Sequence, residues 1–168
     1  MNARTASNPD AVKNRTTVER TSDREVVVTR TVNAPARIVY EAFTRAELFQ
    51  RWWVPRSMGM KLLSCEMDAR VGGTYRLTFD VGAPDPVAFF GTYKEVKPPS
   101  RLSWTSEESG GEASVTTVTF EEQAGRTLVV LREKYPSKEA LEAAGGAYDG
   151  MGETFDQLDE LLVTLNAA

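Results

Sequence analysis

The segment between residues 60 and 134 constrains the fold most strongly, because it holds six short runs of β-forming residues separated by turn signals. Residues 74–81, TYRLTFDV, alternate apolar and polar side chains, which is the pattern of a half-buried strand. Gly72-Gly73 and other Gly- or Pro-rich pairs mark the turns. Strands so close in sequence pair as an antiparallel meander, because a parallel pair needs a much longer crossover.

The end of the chain predicts one long amphipathic helix. Six apolar residues recur there at spacings of three and four, namely Tyr148, Met151, Phe155, Leu158, Leu162 and Leu165. This spacing places them on one stripe of a helix, with acidic and amide side chains on the other side. The stripe has to be buried against another apolar surface, and the sheet is the only one large enough.

Residues 25–33, EVVVTRTVN, predict a strand before the meander, and two short helices follow it. The second helix is predicted to start at a capping box, TRAE at 44–47, and to end before Pro55. A curved antiparallel sheet wrapped around the C-terminal helix, with two short helices after the first strand, is an α+β helix-grip fold. We predict a disordered tail over residues 1–22, which are polar and aperiodic, and a single domain over 23–168.

Composition excludes several classes of function. The net charge of -4 argues against a nucleic-acid-binding face, and no run approaches the roughly 20 apolar residues of a membrane span. The chain has no histidine and one cysteine, Cys65, so a zinc site or a Cys-His or Ser-His catalytic pair is not available. We expect no metal and no cofactor. A lone cysteine fits a reducing, cytoplasmic location.

Residues 46–55, AELFQRWWVP, place two tryptophans side by side at the end of the second short helix. Adjacent residues on a helix point in different directions. We therefore predict that one indole packs in the core and the other lines the opening of a pocket. We select Trp52 as the lining residue.

Six segments occur in the order seen in one known superfamily: RTVNAPARIVYEAFT, LFQRWW, GGTYRLTF, GTYKEVKPPSRLSW, VTFEE and GMGETFDQLDELL. Together they resemble SRPBCC (START-like) proteins. The closest resemblance is to the branch related to the C-terminal domain of the activator of the heat-shock protein 90 ATPase. It covers roughly residues 25 to 166. The chain departs from the pattern at Gly150-Met151, where many relatives have Gly-Trp, and at Ala147, where a histidine is often found.

The resemblance implies a deep, mostly apolar cavity between the curved sheet and the long helix. Relatives use such cavities for lipids, polyketides, plant hormones and other hydrophobic molecules. Our first hypothesis is therefore that the chain is a non-enzymatic or weakly enzymatic carrier of a small hydrophobic or aromatic ligand. The lining residues that we predict are Trp52, Tyr75, Phe79, Tyr93, Trp104, Phe120, Met151 and Phe155.

Three of these predicted lining residues, Tyr75, Tyr93 and Trp104, carry polar tips that need partners when buried, so we expect them to orient the ligand. The glycines near Gly150 predict a gate at the start of the long helix.

Two other hypotheses remain open. By analogy with the heat-shock protein 90 activator, the chain is a co-chaperone-like module that binds a chaperone partner. As a cyclase- or dehydratase-type enzyme it would need a tuned acid or base, and Glu133 is the one candidate. Arg132 and Glu133 lie on opposite faces of the last strand, and the sequence does not decide which faces the cavity. Exposed sheet edges also permit a homodimer.

Overall fold

Eight strands form one curved antiparallel sheet within residues 16–108, 110–145 and 148–167, which the computed structural model describes. Their order across the sheet is β1-β2-β8-β7-β6-β5-β4-β3. The strands are β1 Thr17–Arg20, β2 Glu25–Val32, β3 Lys61–Met67, β4 Thr74–Asp80, β5 Val87–Lys97, β6 Arg101–Ser106, β7 Ser114–Gln123 and β8 Arg126–Lys134. Strands β3 to β8 form the predicted six-stranded meander, in which each strand pairs with the next along the chain.

Strand β1 corrects the predicted tail, because residues 17–20 pair with 26–29 of β2 instead of remaining irregular. All four residues of β1 are exposed, so the strand has no buried face. A strand without a buried face carries no apolar alternation, and the sequence therefore gives no signal for it. Residues 1–15 of the predicted tail lie outside the described residues.

Helices cover the inner face of the sheet. They are α1 Ala36–Thr44, α2 Ala46–Phe49, a 3-10 helix Arg56–Met58, α3 Lys138–Ala144 and α4 Met151–Ala167. The two short helices after β2 and the long C-terminal helix are as predicted, so the α+β helix-grip fold is confirmed. None of the helices in the described part of the chain combines the length and apolar character needed to cross a membrane.

The predicted capping box at residues 44–47 is wrong. Thr44 is still the last residue of α1, and its hydroxyl donates a hydrogen bond back to the carbonyl of Tyr40 at 2.9 Å. Arg45 is the residue before α2, and its side chain makes no cap. The hydroxyl is thus used inside one helix and is not available to start the next.

A buried arginine fastens α4 to the sheet. The side chain of Arg30, on β2, is only 5% exposed and donates to Asp156 at 2.9 Å and to Asp159. Its guanidinium also donates to Thr16 at 2.7 Å. Burial raises the pKa of Asp159, while the bond from Arg30 opposes that rise. These charged contacts and the buried apolar stripe hold α4 against β2, near the edge of the sheet opposite β3.

Candidate ligand-binding cavity

A cavity of about 580 Å³ lies between the inner face of the sheet and the short helix α3. Its walls are mostly aromatic and apolar. The aromatic rings that line it include those of Trp53, Tyr75, Phe89, Tyr93, Trp104 and Tyr135. Ala140, Ala143 and Ala144 of α3 lie across it, and these small side chains leave the space open where larger ones would fill it.

Of the two adjacent tryptophans, Trp53 lines the cavity and Trp52 does not. Trp52 is fully buried, and its indole nitrogen donates to the Ala42 carbonyl at 2.9 Å. Trp53 is half-buried and stacks on the ring of Phe49 at 4.8 Å. The division into one core residue and one lining residue is as predicted, but Trp52 was the wrong choice. Helix α2 ends at Phe49, so turn geometry and not helical phase sets the directions of the two rings.

Tyr75, Tyr93 and Trp104 lie on the cavity wall as predicted. Tyr75 and Tyr93 come from neighbouring strands β4 and β5, and their ring centroids are 5.9 Å apart. Tyr93 and Trp104 are directly opposite each other in the pairing of β5 with β6. The sheet register therefore brings together three residues that are separated in sequence. Their contact with a ligand remains a prediction.

Four other predicted lining residues, Phe79, Phe120, Met151 and Phe155, are buried in the core and do not line this cavity. The ring of Phe120 packs edge-on against Tyr40 and Phe43 of α1, at 5.3 and 5.1 Å. Phe155 lies 6.1 Å from the ring of Trp52. Helices α1 and α4 fill this half of the concave face with side chains, and the cavity of about 580 Å³ lies beside them under α3.

Gly150, where the sequence predicts a gate, is not among the described residues that line the cavity, and the gate stays a prediction. A Cβ atom on Gly150 would lie 2.9 Å from Cγ of Pro55, so this glycine is needed for close packing. No residue of α4 in the described part of the chain lines the cavity. The lining residues that are exposed are Phe89, Glu108, Glu112 and Ala143, and they place the rim between β5, the β6–β7 connection and α3. Ala147, the position of the histidine found in relatives, lies outside the described residues.

Glu133 faces the cavity. Arg132 points to the other face of the sheet, where its Nη1 lies 3.7 Å from Oε1 of Glu25. Ser114 donates its hydroxyl to Oε2 of Glu133 at 2.9 Å, and the Tyr148 hydroxyl donates to Oε1. Tyr135 donates in turn to the Tyr148 oxygen at 3.2 Å. The carboxylate is therefore held at the end of a chain of hydroxyl groups.

The phenols around this carboxylate are poor acids. Burial, and then the negative charge of Glu133, raises the pKa of Tyr135 to about 12. The same two causes, in the same order, raise the pKa of Tyr148 further. Burial is also the main cause that raises the pKa of Tyr75 and of Tyr93. All four phenols are protonated at neutral pH and can act as hydrogen-bond donors.

Two polar groups on the cavity wall have no hydrogen-bond partner among the described residues. They are the hydroxyl of Tyr93, a residue that is 3% exposed, and the indole N–H of Trp104, which is 8% exposed. The third predicted polar tip, the Tyr75 hydroxyl, donates to the Thr105 carbonyl at 2.7 Å. Neither atom is among the fully buried side-chain atoms without a partner in the described residues, so both polar tips open into the cavity and can bond to a ligand or to water.

Sequence reasoning missed Trp53, Ser114, Tyr135 and the three alanines of α3 as lining residues. Alanine favours any helix and gives no sign that it faces a void. Ser114 and Tyr135 lie at the ends of strands, where alternation no longer predicts direction. The end of β8 could have identified Tyr135 as a lining residue, because Glu133 and Tyr135 are two residues apart and so share a face.

The curved sheet, the helices on its inner face and the aromatic cavity together define a helix-grip protein with an internal cavity. A sequence model of the family described as "Activator of Hsp90 ATPase homolog 1-like protein" matches residues 33–163, and the chain belongs to this family. Comparison with curated proteins found no significant match.

Solved structures share the fold at low sequence identity. A crystal structure of a protein from Rhodobacter sphaeroides has a TM-score of 0.79 and 21% identity, over 89% of this chain and 99% of that chain. A protein from Nitrosomonas europaea has a TM-score of 0.75 and 22% identity, over 89% and 100% of the two chains. A protein of unknown function from Staphylococcus aureus has a TM-score of 0.68 and 18% identity, over 91% and 98%. These similarities show the fold alone.

Proposed function

We propose that the protein binds a small hydrophobic or aromatic molecule in the cavity under α3. One observation carries this proposal: the Tyr93 hydroxyl and the Trp104 indole N–H lie unpartnered on an apolar wall. Both polar tips open into the cavity and are accessible to a ligand. A ligand with an apolar body would fill the space, and a polar group on it could bond to the Tyr93 hydroxyl, which can both donate and accept.

The size and chemistry of the cavity support the proposal. A volume of about 580 Å³ falls in the range of roughly 300–1,000 Å³ that is typical of small-molecule sites. Aromatic walls with a few placed polar groups are the usual composition of such sites. Tyr75, Tyr93 and Trp104 are the proposed ligand contacts from the sheet, and Trp53 is the contact from the segment after α2.

The first test is native mass spectrometry of the purified chain, followed by organic extraction of what it carries. We expect a hydrophobic molecule at up to one per chain, or a rise in melting temperature with members of a panel of lipids and aromatics. Ala140→Phe should abolish either effect, because the larger side chain enters the cavity from α3. The control is Ala88→Phe, the same substitution on the opposite face of β5 from the lining residue Phe89.

A co-chaperone-like role is the second candidate, and the family to which the chain belongs favours it. It would use an outer surface and would not depend on the cavity. If the panel shifts nothing and the purified chain carries nothing, stimulation of a chaperone ATPase becomes the deciding assay. Ala140→Phe should leave that stimulation unchanged.

Catalysis is a third candidate, and it is favoured by the position of Glu133 inside the cavity. A carboxylate at the end of a hydroxyl chain is suited to acid-base work. A reaction that is lost in Glu133→Gln while ligand binding survives would support this function. Equal turnover in both proteins would exclude Glu133 as the acid or base.

A further inference from the structure

We infer that the cavity selects an apolar molecule that carries a cationic amine over a carboxylate or phosphate of the same shape. This inference rests on the proposed function and names the chemical class of the ligand. It comes from the distribution of charge on the cavity wall.

Charge on the wall is of one sign. Glu108, Glu112 and Glu133 line the cavity, and no lysine or arginine is among the described lining residues. None of the three glutamates forms an ion pair within the described part of the chain. Arg24 donates to the carbonyl of Pro136, a lining residue, at 3.3 Å, but Arg24 is not itself among the described lining residues.

Glu133 is the group that would contact an amine directly. Ser114 and the Tyr148 hydroxyl each occupy one of its two oxygens, which fixes the orientation of the carboxylate. An ionised carboxylate offers about four acceptor positions, so two remain for a ligand. A hydrogen bond between an ammonium group and this carboxylate would be charge-assisted and correspondingly strong.

The aromatic rings add a second attraction for a cation. Trp53 and Trp104 lie edge-to-face with centroids 6.2 Å apart, and Tyr75 and Tyr93 lie beside them. Cations are attracted to the faces of such rings, most strongly to tryptophan. The same wall therefore binds the apolar body of a ligand and also stabilises a positive charge on it.

An anionic ligand would meet the opposite conditions. Its charge would lose water on entering the cavity. The Tyr93 hydroxyl and the Trp104 N–H could bond to it, but no cation among the described lining residues would neutralise it. The local field also disfavours negative charge, since Glu133 and Glu108 add to burial in raising the pKa of Tyr75. Fatty acids and other carboxylates are thus expected to be the poorest ligands of a given size.

The test compares naphthylmethylamine, naphthylmethanol and naphthoate, which share one ring system and differ in charge. Isothermal titration calorimetry at neutral pH gives the affinity of each. We expect the amine to bind about tenfold more tightly than the alcohol, a difference of about 1.4 kcal/mol, because a hydrogen bond between two charged groups is stronger than one made by a neutral hydroxyl. Naphthoate should bind more weakly than the alcohol.

Glu133→Gln should reduce the preference for the amine to about twofold or less while the affinity for the alcohol stays the same. The glutamine oxygen can still accept one of the two bonds that orient the side chain. Glu121→Gln removes the same charge at an exposed position of β7 outside the cavity, and it should leave the preference unchanged. The double variant Glu108→Gln, Glu112→Gln tests the rim independently and should weaken the preference less than Glu133→Gln does.

Each outcome decides a separate point. Alcohol and amine binding equally, or naphthoate binding best, would overturn the inference and leave the proposed function in place. An equal loss of preference in Glu121→Gln and Glu133→Gln would also overturn it, since the effect would then be one of net charge. If none of the three compounds binds, the inference fails, and the proposed function is decided by native mass spectrometry and the panel of lipids and aromatics.

Discussion

The indole rings of Trp52 and Trp53 lie 5.5 Å apart with their planes at 82°, so adjacent residues serve two separate parts of the protein. Trp52 is enclosed by the rings of Phe43, Phe49 and Phe155 in the core. Trp53 lies on the cavity wall, where its ring is edge-to-face with that of Trp104. Core stability and ligand contact are thus separated within one dipeptide.

This separation predicts different results for two alanine variants. Trp52→Ala should lower the free energy of unfolding by about 3–5 kcal/mol, because a fully buried aromatic side chain is lost and leaves a hole. Trp53→Ala should cost about 1 kcal/mol, since the residue is half-buried, but should weaken ligand binding. Urea denaturation and calorimetry measure the two effects. Equal destabilisation by both variants would contradict the assignment.

The unpartnered hydroxyl of Tyr93 predicts that two tyrosine-to-phenylalanine variants differ in the stability of the ligand-free protein. Tyr93→Phe breaks no hydrogen bond to the described residues, so the stability of the ligand-free protein should stay the same within about 0.5 kcal/mol. Tyr75→Phe, the matched control, removes the bond to the Thr105 carbonyl and should cost about 1 kcal/mol. Ligand affinity should fall in Tyr93→Phe. A large loss of ligand-free stability in this variant would mean that its hydroxyl has a partner in the protein.

All five tyrosines have a raised pKa, and burial is the largest cause for each. A raised pKa of a phenol in the folded state stabilises the fold below the unfolded value of about 10. This stability is lost as the pH rises towards the folded values, which are about 12 for Tyr40 and Tyr135. Tyrosinate absorbance should therefore show no midpoint near pH 10 in native buffer. In guanidinium chloride all five should titrate there.

Substitution of the buried Arg30 by alanine should lower the stability of the fold much more than substitution of an exposed arginine. Arg30→Ala leaves Asp159 partly buried without its cation and should cost about 3 kcal/mol. Arg56→Ala removes an exposed contact with Glu160 at 3.0 Å and should cost less than about 1 kcal/mol. Thermal unfolding of both variants makes the comparison. A similar shift for the two would mean that Arg30 does not fasten α4 to the sheet.

Much of the fold could be predicted from the sequence because the signals are local. The six strands of the meander each show their own alternation or turn residues, and the stripe of α4 shows its own period. Strand β1 was missed for the same reason, since a strand that is exposed on both faces has no local pattern.

The candidate site could be predicted only in part. Tyr75, Tyr93 and Trp104 were found because alternation places them on the concave face, where the cavity is. Phe79, Phe120 and Phe155 share that apolar character but are covered by other rings or by helices. Whether an inward-facing residue packs against a helix or lines a cavity depends on elements that are distant in sequence, so its own segment does not predict it.

By itself, the sequence determined the six strands of the meander, the long C-terminal helix, the helix-grip fold and three aromatic residues of the cavity wall, Tyr75, Tyr93 and Trp104. Periodicity and turn chemistry are properties of short segments, so a single chain is enough to read them. Only the tertiary structure decided that Glu133 faces inward, that Trp53 and not Trp52 lines the wall, and that α3 covers the cavity. A cavity is the space left between elements that are distant in sequence, and its position depends on how all of them pack.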